Sequence, residues 1–252
     1  MNRRSSYAPM ASQEAFIVPL LRTEITNELD HITTCLRQNT ARRLKVLDCG
    51  CGNQPLRSRL KKHGYEYDSL DISQNDNNSV SFIGRLDANE ITFAEVVNEK
   101  YDLVVATEVL EHCTDMHLAL RNIFYATKEN GMALVTVPFF YPLHEEPHDY
   151  NRPTIHLLRS LAIRIGFDVV NAKTVGDAVD VMGTILGGSP LRIKSPLNPL
   201  DKLHCLFLLA VQKLMLRYLL WNYDRLIGSK ETLYLSNILV LRKSVGLSSN
   251  SQ

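Results

Sequence analysis

Short apolar runs alternate with longer amphipathic stretches between residues 44 and 137, and this alternation dominates the chain. Val46-Leu47, Tyr65 to Ile72, Ser79 to Gly84, Tyr101 to Ala106 and Met132 to Val137 read as strands, bounded by glycine, proline or acidic residues. Pro55 to Gly64, Glu90 to Glu99 and Asp115 to Thr127 read as helices. The last would bury Leu118, Leu120, Ile123 and Phe124 and close at Asn130-Gly131. Repeated alternation of strand and helix predicts an α/β fold, a doubly wound Rossmann-like sheet of mostly parallel strands.

Upstream, Phe16, Leu20, Ile25, Leu29 and Ile32 recur at roughly helical spacing within Ser12 to Arg37 and predict one or two helices over an edge of the core. Residues 1 to 12 carry little to bury and read as disordered. Downstream, Thr154 is placed to cap a helix running to Gly166, and Phe167 to Thr174 predicts a sixth strand. Glu231 to Arg242 predicts a seventh. The domain reading is therefore residues 1–37 as tail and covering helices, 38–175 as the core, 176–230 as a helical insertion, and 231–252 as the last strand and C-terminal tail.

The insertion reads as loops at Gly187-Gly188-Ser189-Pro190 and Ser195-Pro196, followed by a helix from Leu203 to Tyr223. Lys202, Lys213, Arg217 and Asp224 fall near one narrow strip of that helix, leaving a broad apolar arc that includes Phe207, Leu208, Val211, Leu214, Met215, Leu219 and Trp221. Such an arc needs a cover: its own domain, a second subunit in a homodimer, or peripheral contact with a membrane surface.

With 252 residues the chain is long enough for a full core, and a net charge of +1 offers no basic field for nucleic acid. No run of about 20 uninterrupted apolar residues exists, so no membrane span is expected. Met1-Asn2-Arg3-Arg4 is basic, but the following run from Ala15 to Leu21 is short and broken by Pro19, so no secretory signal is expected. Cys35, Cys49, Cys51, Cys113 and Cys205 are odd in number and lack paired spacing. Neither a disulfide framework nor a structural zinc site is indicated, and the expectation is a cytoplasmic protein, with the inner face of the membrane as the peripheral option.

The candidate chemistry centres on Asp48-Cys49-Gly50-Cys51-Gly52, where the first strand turns toward a helix. Two glycines there let a ligand approach the backbone, but the third small residue of a dinucleotide fingerprint is replaced by Pro55. Asp71 ends the second strand about twenty residues after the glycines, where its carboxylate can hold a ribose diol. Asp48, Asp71, Asp87 and Glu108 all fall at or just past strand ends, the rim where such sheets bind ligands.

Over residues 40 to 175 the sequence resembles the class I S-adenosylmethionine-dependent methyltransferases. Val46-Leu47-Asp48-Cys49-Gly50-Cys51-Gly52 looks like their first motif, Leu70-Asp71-Ile72-Ser73 their second, Asp87-Ala88 their third, and Ala106-Thr107-Glu108-Val109-Leu110-Glu111-His112 their signature after the fourth strand. The resemblance implies S-adenosyl-L-methionine as cofactor, with Gly50 and Gly52 bordering its methionine portion, Asp71 on the ribose, Ile72 against adenine, and Asp87 with Ala88 at the adenine edge. Asp48 and Glu108 would supply negative charge near the ammonium and sulfonium groups, and a cofactor without phosphate has no use for a third glycine. The resemblance also implies a seven-stranded sheet whose last strand runs antiparallel at the edge.

Residues 137 to 154, with Pro142-Leu143-His144, Asp149-Tyr150 and Arg152, are similar to a branch of these enzymes associated with surface polysaccharide and glycolipid synthesis. Methyl transfer to oxygen needs alignment and, where the acceptor is a hydroxyl, a base, and histidine titrates in the useful range. His144 and His148 are the candidate bases, with His112, Tyr141, Asp149 and Arg152 as candidate acceptor contacts. Arg152 could bind an anionic group on the acceptor or pair with Asp149 or Glu145 and shape the loop. His144, Glu145, His148 and Asp149 also mix metal-ligand types, but Pro147 breaks the helix that His-x-x-x-His spacing favours, so no metal is expected.

The leading expectation is methylation, at oxygen, of a sugar-containing or other small acceptor, with a lipid or quinone as the second choice. A non-catalytic cofactor-binding module and a nicotinamide oxidoreductase are the competing classes.

Overall fold

Side chains alternate across a strand, so a strand covered on both faces must be apolar at nearly every position. Strand β4 (Tyr101–Thr107) meets that condition but for Asp102 near its start and Thr107 at its end, and strand β1 (Lys45–Cys49) meets it at Val46, Leu47 and Cys49, with the charged Lys45 at its start and Asp48 near its functional end. Val46, Leu103 and Val105 pack into one cluster, while Leu47, Cys49, Val104 and Ala106 pack into another on the opposite face. The computed structural model describes residues 14–38, 40–188, 198–222 and 233–244.

Helix α1 (Glu14–Arg37) places Ile17, Leu21, Ile25, Leu29 and Ile32 against the first face. It covers a face rather than an edge of the sheet, and its Glu28 accepts from Asn171 at 3.0 Å. Helices α2 (Arg57–Lys62) and α3 (Glu90–Val96) follow strands β2 (Glu66–Asp71) and the two-residue β3 (Phe82–Ile83). Pro55 precedes α2 rather than opening it, because Gln54 is held in the left-handed region and the helix starts only after Leu56.

Helix α4 (Met116–Ala126) is capped by Asp115, whose side chain accepts from the Leu118 amide at 2.8 Å. It ends at Thr127, whose hydroxyl donates to the Ile123 carbonyl at 2.7 Å. Asn130-Gly131 therefore does not stop the helix; both lie inside β5 (Thr127–Pro138), tied to Lys243 by backbone bonds of 2.7 and 3.0 Å. Helix α5 (Ile155–Ile165) runs between the expected caps, Thr154 and a left-handed Gly166.

Strand β6 (Asp168–Val175) leads into helix α6 (Ala178–Gly188), which the glycines at 183, 187 and 188 disguise in the sequence. Asp177 supports its first turn through the amides of Val179 and Asp180, and Val181 joins the face covered by α1. Val179, Val181 and Thr184 of this helix are buried, and Gly187-Gly188 is helix rather than loop. Helix α7 (Pro199–Asn222) then precedes β7 (Ser236–Arg242). The readings of residues 1–12, Ser189-Pro190, Ser195-Pro196, Tyr223, Asp224 and the C-terminal tail past residue 244 lie outside the described residues.

The seven strands lie in the order β3-β2-β1-β4-β5-β7-β6. Strand β7 is antiparallel, but it is not the edge strand: it inserts between β5 and β6 and hydrogen-bonds to both. All the parallel strands β1 to β5 consequently end on one rim.

Leu29 is fully buried beneath the sheet. Leu29→Ala should lower unfolding stability by about 2–5 kcal/mol in urea titrations, whereas a helix merely lying along an edge would lose far less.

Candidate active site

The end of β1 turns through two left-handed glycines, Gly50 (φ +67°) and Gly52 (φ +51°), for different reasons. A Cβ on Gly50 would lie 2.3 Å from a Val109 methyl, so this glycine lets the turn after β4 close against β1. A Cβ on Gly52 would meet nothing within 4 Å, so its bareness faces open space, as a ligand approaching the backbone requires. The Gly52 amide donates to the Asp71 carboxylate at 2.8 Å, joining the ends of β1 and β2. Ile72, the next residue, is 64% exposed on the same rim, an apolar surface suited to a flat ring.

Asp48 lies beneath the glycines and accepts the Tyr67 hydroxyl at 2.7 Å. Burial pushes its pKa up to about 7, against the Tyr67 hydrogen bond and with help from the nearby Asp71 charge. Asp87 is braced from within: it accepts from Arg85 Nε at 2.9 Å and from the Thr114 amide and hydroxyl at 2.8 and 2.9 Å. Burial opposes its ionisation, but those donors hold its pKa below the usual value. An adenine amino group would have to share this carboxylate with the Arg85 fork, both Thr114 donors and the Asp115 amide, so the first role of Asp87 is to tie the loop after β3 to the turn before α4. Neighbouring Ala88 is anchored too, its carbonyl accepting from Asn122 at 2.8 Å.

Glu108 follows β4 in the left-handed region, its carboxylate accepting the Thr136 hydroxyl at 2.8 Å and the Ser236 hydroxyl at 3.2 Å. A short 3-10 turn, Leu110–His112, then points Glu111 inward. Sequence reasoning passed over Glu111, although its spacing from Glu108 and His112 places all three in one turn. Its side chain is fully buried, and neither carboxylate oxygen has a hydrogen-bond partner. Burial raises the pKa of both acids, and for Glu108 the charge of Glu111 adds to it.

His144 belongs to this cluster. Its Nε2 and the His112 Nε2 both stand 3.7 Å from Glu111 Oε1, and the two rings meet edge to face with centroids 4.8 Å apart. Tyr141 packs against His144 at 5.3 Å. His148 is elsewhere: its ring is exposed and bonds the Tyr150 hydroxyl at 2.9 Å, while its carbonyl accepts from His112. Of the two expected bases, only His144 lies among the other titratable groups.

Asp149 and Arg152 form a two-pronged ion pair, and Asp149 also accepts the His144 amide at 3.0 Å. Burial opposes ionisation of Asp149, but the Arg152 fork outweighs it and keeps the carboxyl below its ordinary pKa. The loop-shaping reading of Arg152 is therefore the one the geometry follows; the pair locks His144 in place instead of presenting free charge to an acceptor.

The sequence pattern of the family described as a methyltransferase domain matches residues 21–178, from within α1 to the start of α6. The chain belongs to this family. The chain is similar to the ubiquinone biosynthesis O-methyltransferases of Rickettsia typhi, 25% identical over 40% of this chain and 44% of the relative, and of Rickettsia felis, 27% identical over 39% and 43%. The chain thus spans less than half the length of the curated relatives it matches. A crystal structure from Galdieria sulphuraria, assigned to a sarcosine dimethylglycine methyltransferase, superposes with a TM-score of 0.54 at 19% identity, over 89% of this chain and 86% of that one. A SAM-dependent methyltransferase from Archaeoglobus fulgidus superposes with 0.50 at 14% identity, over 85% and 94%. These two likenesses bear on fold alone.

The methyltransferase residues fit the cofactor on the structure's own terms: an open Gly52, an exposed Ile72 and acids at adjoining strand ends. Gly52→Ala should fold with a stability loss of roughly 1–2 kcal/mol, the cost of a Cβ in the left-handed region, yet weaken S-adenosylhomocysteine binding at least about tenfold (roughly 1.4 kcal/mol) in calorimetry, because the methyl group enters the ligand's space. Asp48 makes a pH prediction. Its folded pKa lies above its unfolded one, so its contribution is complete below pH 3.8 and is lost as pH rises through about 7. Urea unfolding of the unliganded protein should therefore show stability falling between these limits, and Asp48→Asn should flatten that fall.

Proposed function

We propose that the protein transfers a methyl group from S-adenosylmethionine to a hydroxyl oxygen of a small acceptor. The observation that carries this reading is the meeting of the glycine corner with the Glu108–His112 turn, which puts an acid–base cluster beside the open cofactor rim. The bound cofactor supplies an electrophilic methyl group on a positively charged sulfur. Gly50 and Gly52 would border the methionine portion, Asp71 would hold the ribose, Ile72 would support the adenine, and Asp87 with Ala88 would border it. Asp48 and Glu108, whose ionised forms the cofactor's positive charge would favour, would supply negative charge near its ammonium and sulfonium groups.

The acceptor oxygen forms a bond to the methyl carbon as the carbon–sulfur bond breaks, its electron pair returning to sulfur. The hydroxyl proton leaves to the Glu111–His112–His144 cluster, and Tyr141 borders the acceptor. Asp149 and Arg152 act one layer back, by fixing the loop.

Oxygen as the target is supported by the similarity to the ubiquinone biosynthesis O-methyltransferases. That similarity also favours a lipid-soluble, quinone-like acceptor, and α7 adds a second argument: Leu203, Leu206, Phe207, Leu208 and Leu214 are exposed, so its own domain does not cover them among the described residues. That face suits a membrane surface carrying the acceptor, or a second copy of the chain. No helix among the described residues is long and apolar enough to cross a membrane. The sugar-containing acceptor of a surface-glycan pathway rests on the resemblance of residues 137–154.

Transfer of labelled methyl should be measured with a catechol-bearing quinone precursor in vesicles and with a sugar nucleotide in solution. Labelled product from the first and none from the second is the expected outcome; the reverse selects the glycan reading. His144→Ala should lower kcat by about 100-fold or more while leaving S-adenosylhomocysteine binding intact.

A further inference from the structure

Glu111 presents an arrangement that the cofactor reading leaves unexplained. A fully buried carboxylate ordinarily finds hydrogen-bond donors, yet both its oxygens lack one. Facing it at 3.7 Å are two ring nitrogens, His112 Nε2 and His144 Nε2, too far for hydrogen bonds. Their partners on the other side fix what those nitrogens can be. His112 Nδ1 lies 2.6 Å from the His148 carbonyl, which can only accept, so Nδ1 carries the proton. His144 Nδ1 lies 3.3 Å from the Asp149 carboxylate and 3.4 Å from the Pro142 carbonyl, again acceptors alone. In neutral imidazoles, Nε2 then carries the lone pair. Three electron-rich atoms consequently point toward one another with nothing between them to attract.

We propose that Glu111, His112 and His144 bind a divalent transition-metal cation of the zinc or manganese class. Two imidazoles and a carboxylate are a familiar donor set for such ions, with positions left open for water or substrate. All the donor atoms lie within 4.8 Å of one another. Bonds of about 2.0–2.1 Å would bring ligand atoms to roughly 3.3 Å apart, a closure of a few tenths of an ångström for each imidazole–carboxylate pair at 3.7 Å and of up to about 1.5 Å between the two imidazole nitrogens. The outer partners match as well: each ring donates its far N–H to a carbonyl or carboxylate, as metal-bound histidines do, and Arg152 holds that carboxylate in turn. The site differs from the His144, Glu145, His148, Asp149 set suggested by the sequence, because His148 turns its ring to Tyr150 and Asp149 is taken by Arg152.

This inference deepens the proposed function and, in its chemical consequence, rests on it. With the ion in place, His144 is a ligand rather than a base, and an acceptor hydroxyl at an open position would ionise more easily, its proton passing to water. The oxygen then attacks the methyl carbon as before.

The binding itself is testable without either substrate. The full chain, stripped with EDTA, is titrated with Co²⁺ alone while its visible absorption is followed, and Zn²⁺ is added in competition. A single saturable equivalent is expected, with bands that Zn²⁺ abolishes. Glu111→Gln keeps the shape of the side chain and should weaken Co²⁺ binding beyond the roughly 10–100-fold that loss of a supporting residue costs; His144→Ala should do the same. His148→Ala should titrate like the parent, since only its backbone takes part. Absence of a saturable band in the parent, unchanged binding in Glu111→Gln, or loss of binding in His148→Ala would each overturn the site. S-adenosylhomocysteine calorimetry on the same samples reads cofactor binding separately, so failure of one conclusion is distinguishable from failure of the other.

Discussion

The approach of Val109 to Gly50 is the constraint from which the functional rim is built. Any side chain at residue 50 would drive into the valine, so the turn after β4 can close on the end of β1 only over a bare backbone. The left-handed torsion of Gly50 and that of Glu108, one residue before Val109, are two halves of the same fit. Parallel pairing brings the strand ends to one side, but it is this contact that sets the depth at which the acidic turn faces the glycine corner. The proposed cofactor rim and the Glu111–His112–His144 cluster thereby share one mechanical joint.

Several acids stand around that joint, and they are accommodated differently. Asp48 takes the Tyr67 hydroxyl, Glu108 takes two hydroxyls, and Asp149 takes a guanidinium. Each solution offsets desolvation with donors native to the chain. Glu111 alone has no such donor, and it is also the acid the two imidazoles face. The contrast makes it difficult to regard Glu111 as ordinary packing, because the same few residues of chain supply proper partners for every neighbouring carboxylate.

Local signals in the sequence carried far. The strand–glycine–helix pattern around residue 48, the Asp71 strand end and the α5 caps at Thr154 and Gly166 all depend on residue types and torsions within a few residues, so they are readable from order alone. What escaped was non-local. The place of β7 between β5 and β6 depends on pairing partners nearly a hundred residues away along the chain in β5, and α6 forms despite three glycines because it can pack on α1. In the site, His144 and His148 are indistinguishable by composition; the direction of each ring is decided by Asp149 in one case and Tyr150 in the other. Glu111 was hidden for a similar reason, since only the fold reveals that its carboxylate is enclosed without a donor.

The pairing of Val175 with Ser236 means that the chain leaves the sheet and returns to it at practically one point, fastened by the Leu235 amide to the Val175 carbonyl at 2.8 Å. Pro138, from which the histidine-bearing loop departs, is the other neighbour of Ser236. The β6 and β7 ends of the intervening segment therefore lie side by side on the sheet, next to the strand from which the histidine-bearing loop departs. Changes between α6 and that return leave the strand ladder untouched, so new selectivity could evolve there while the strand ends are inherited unchanged.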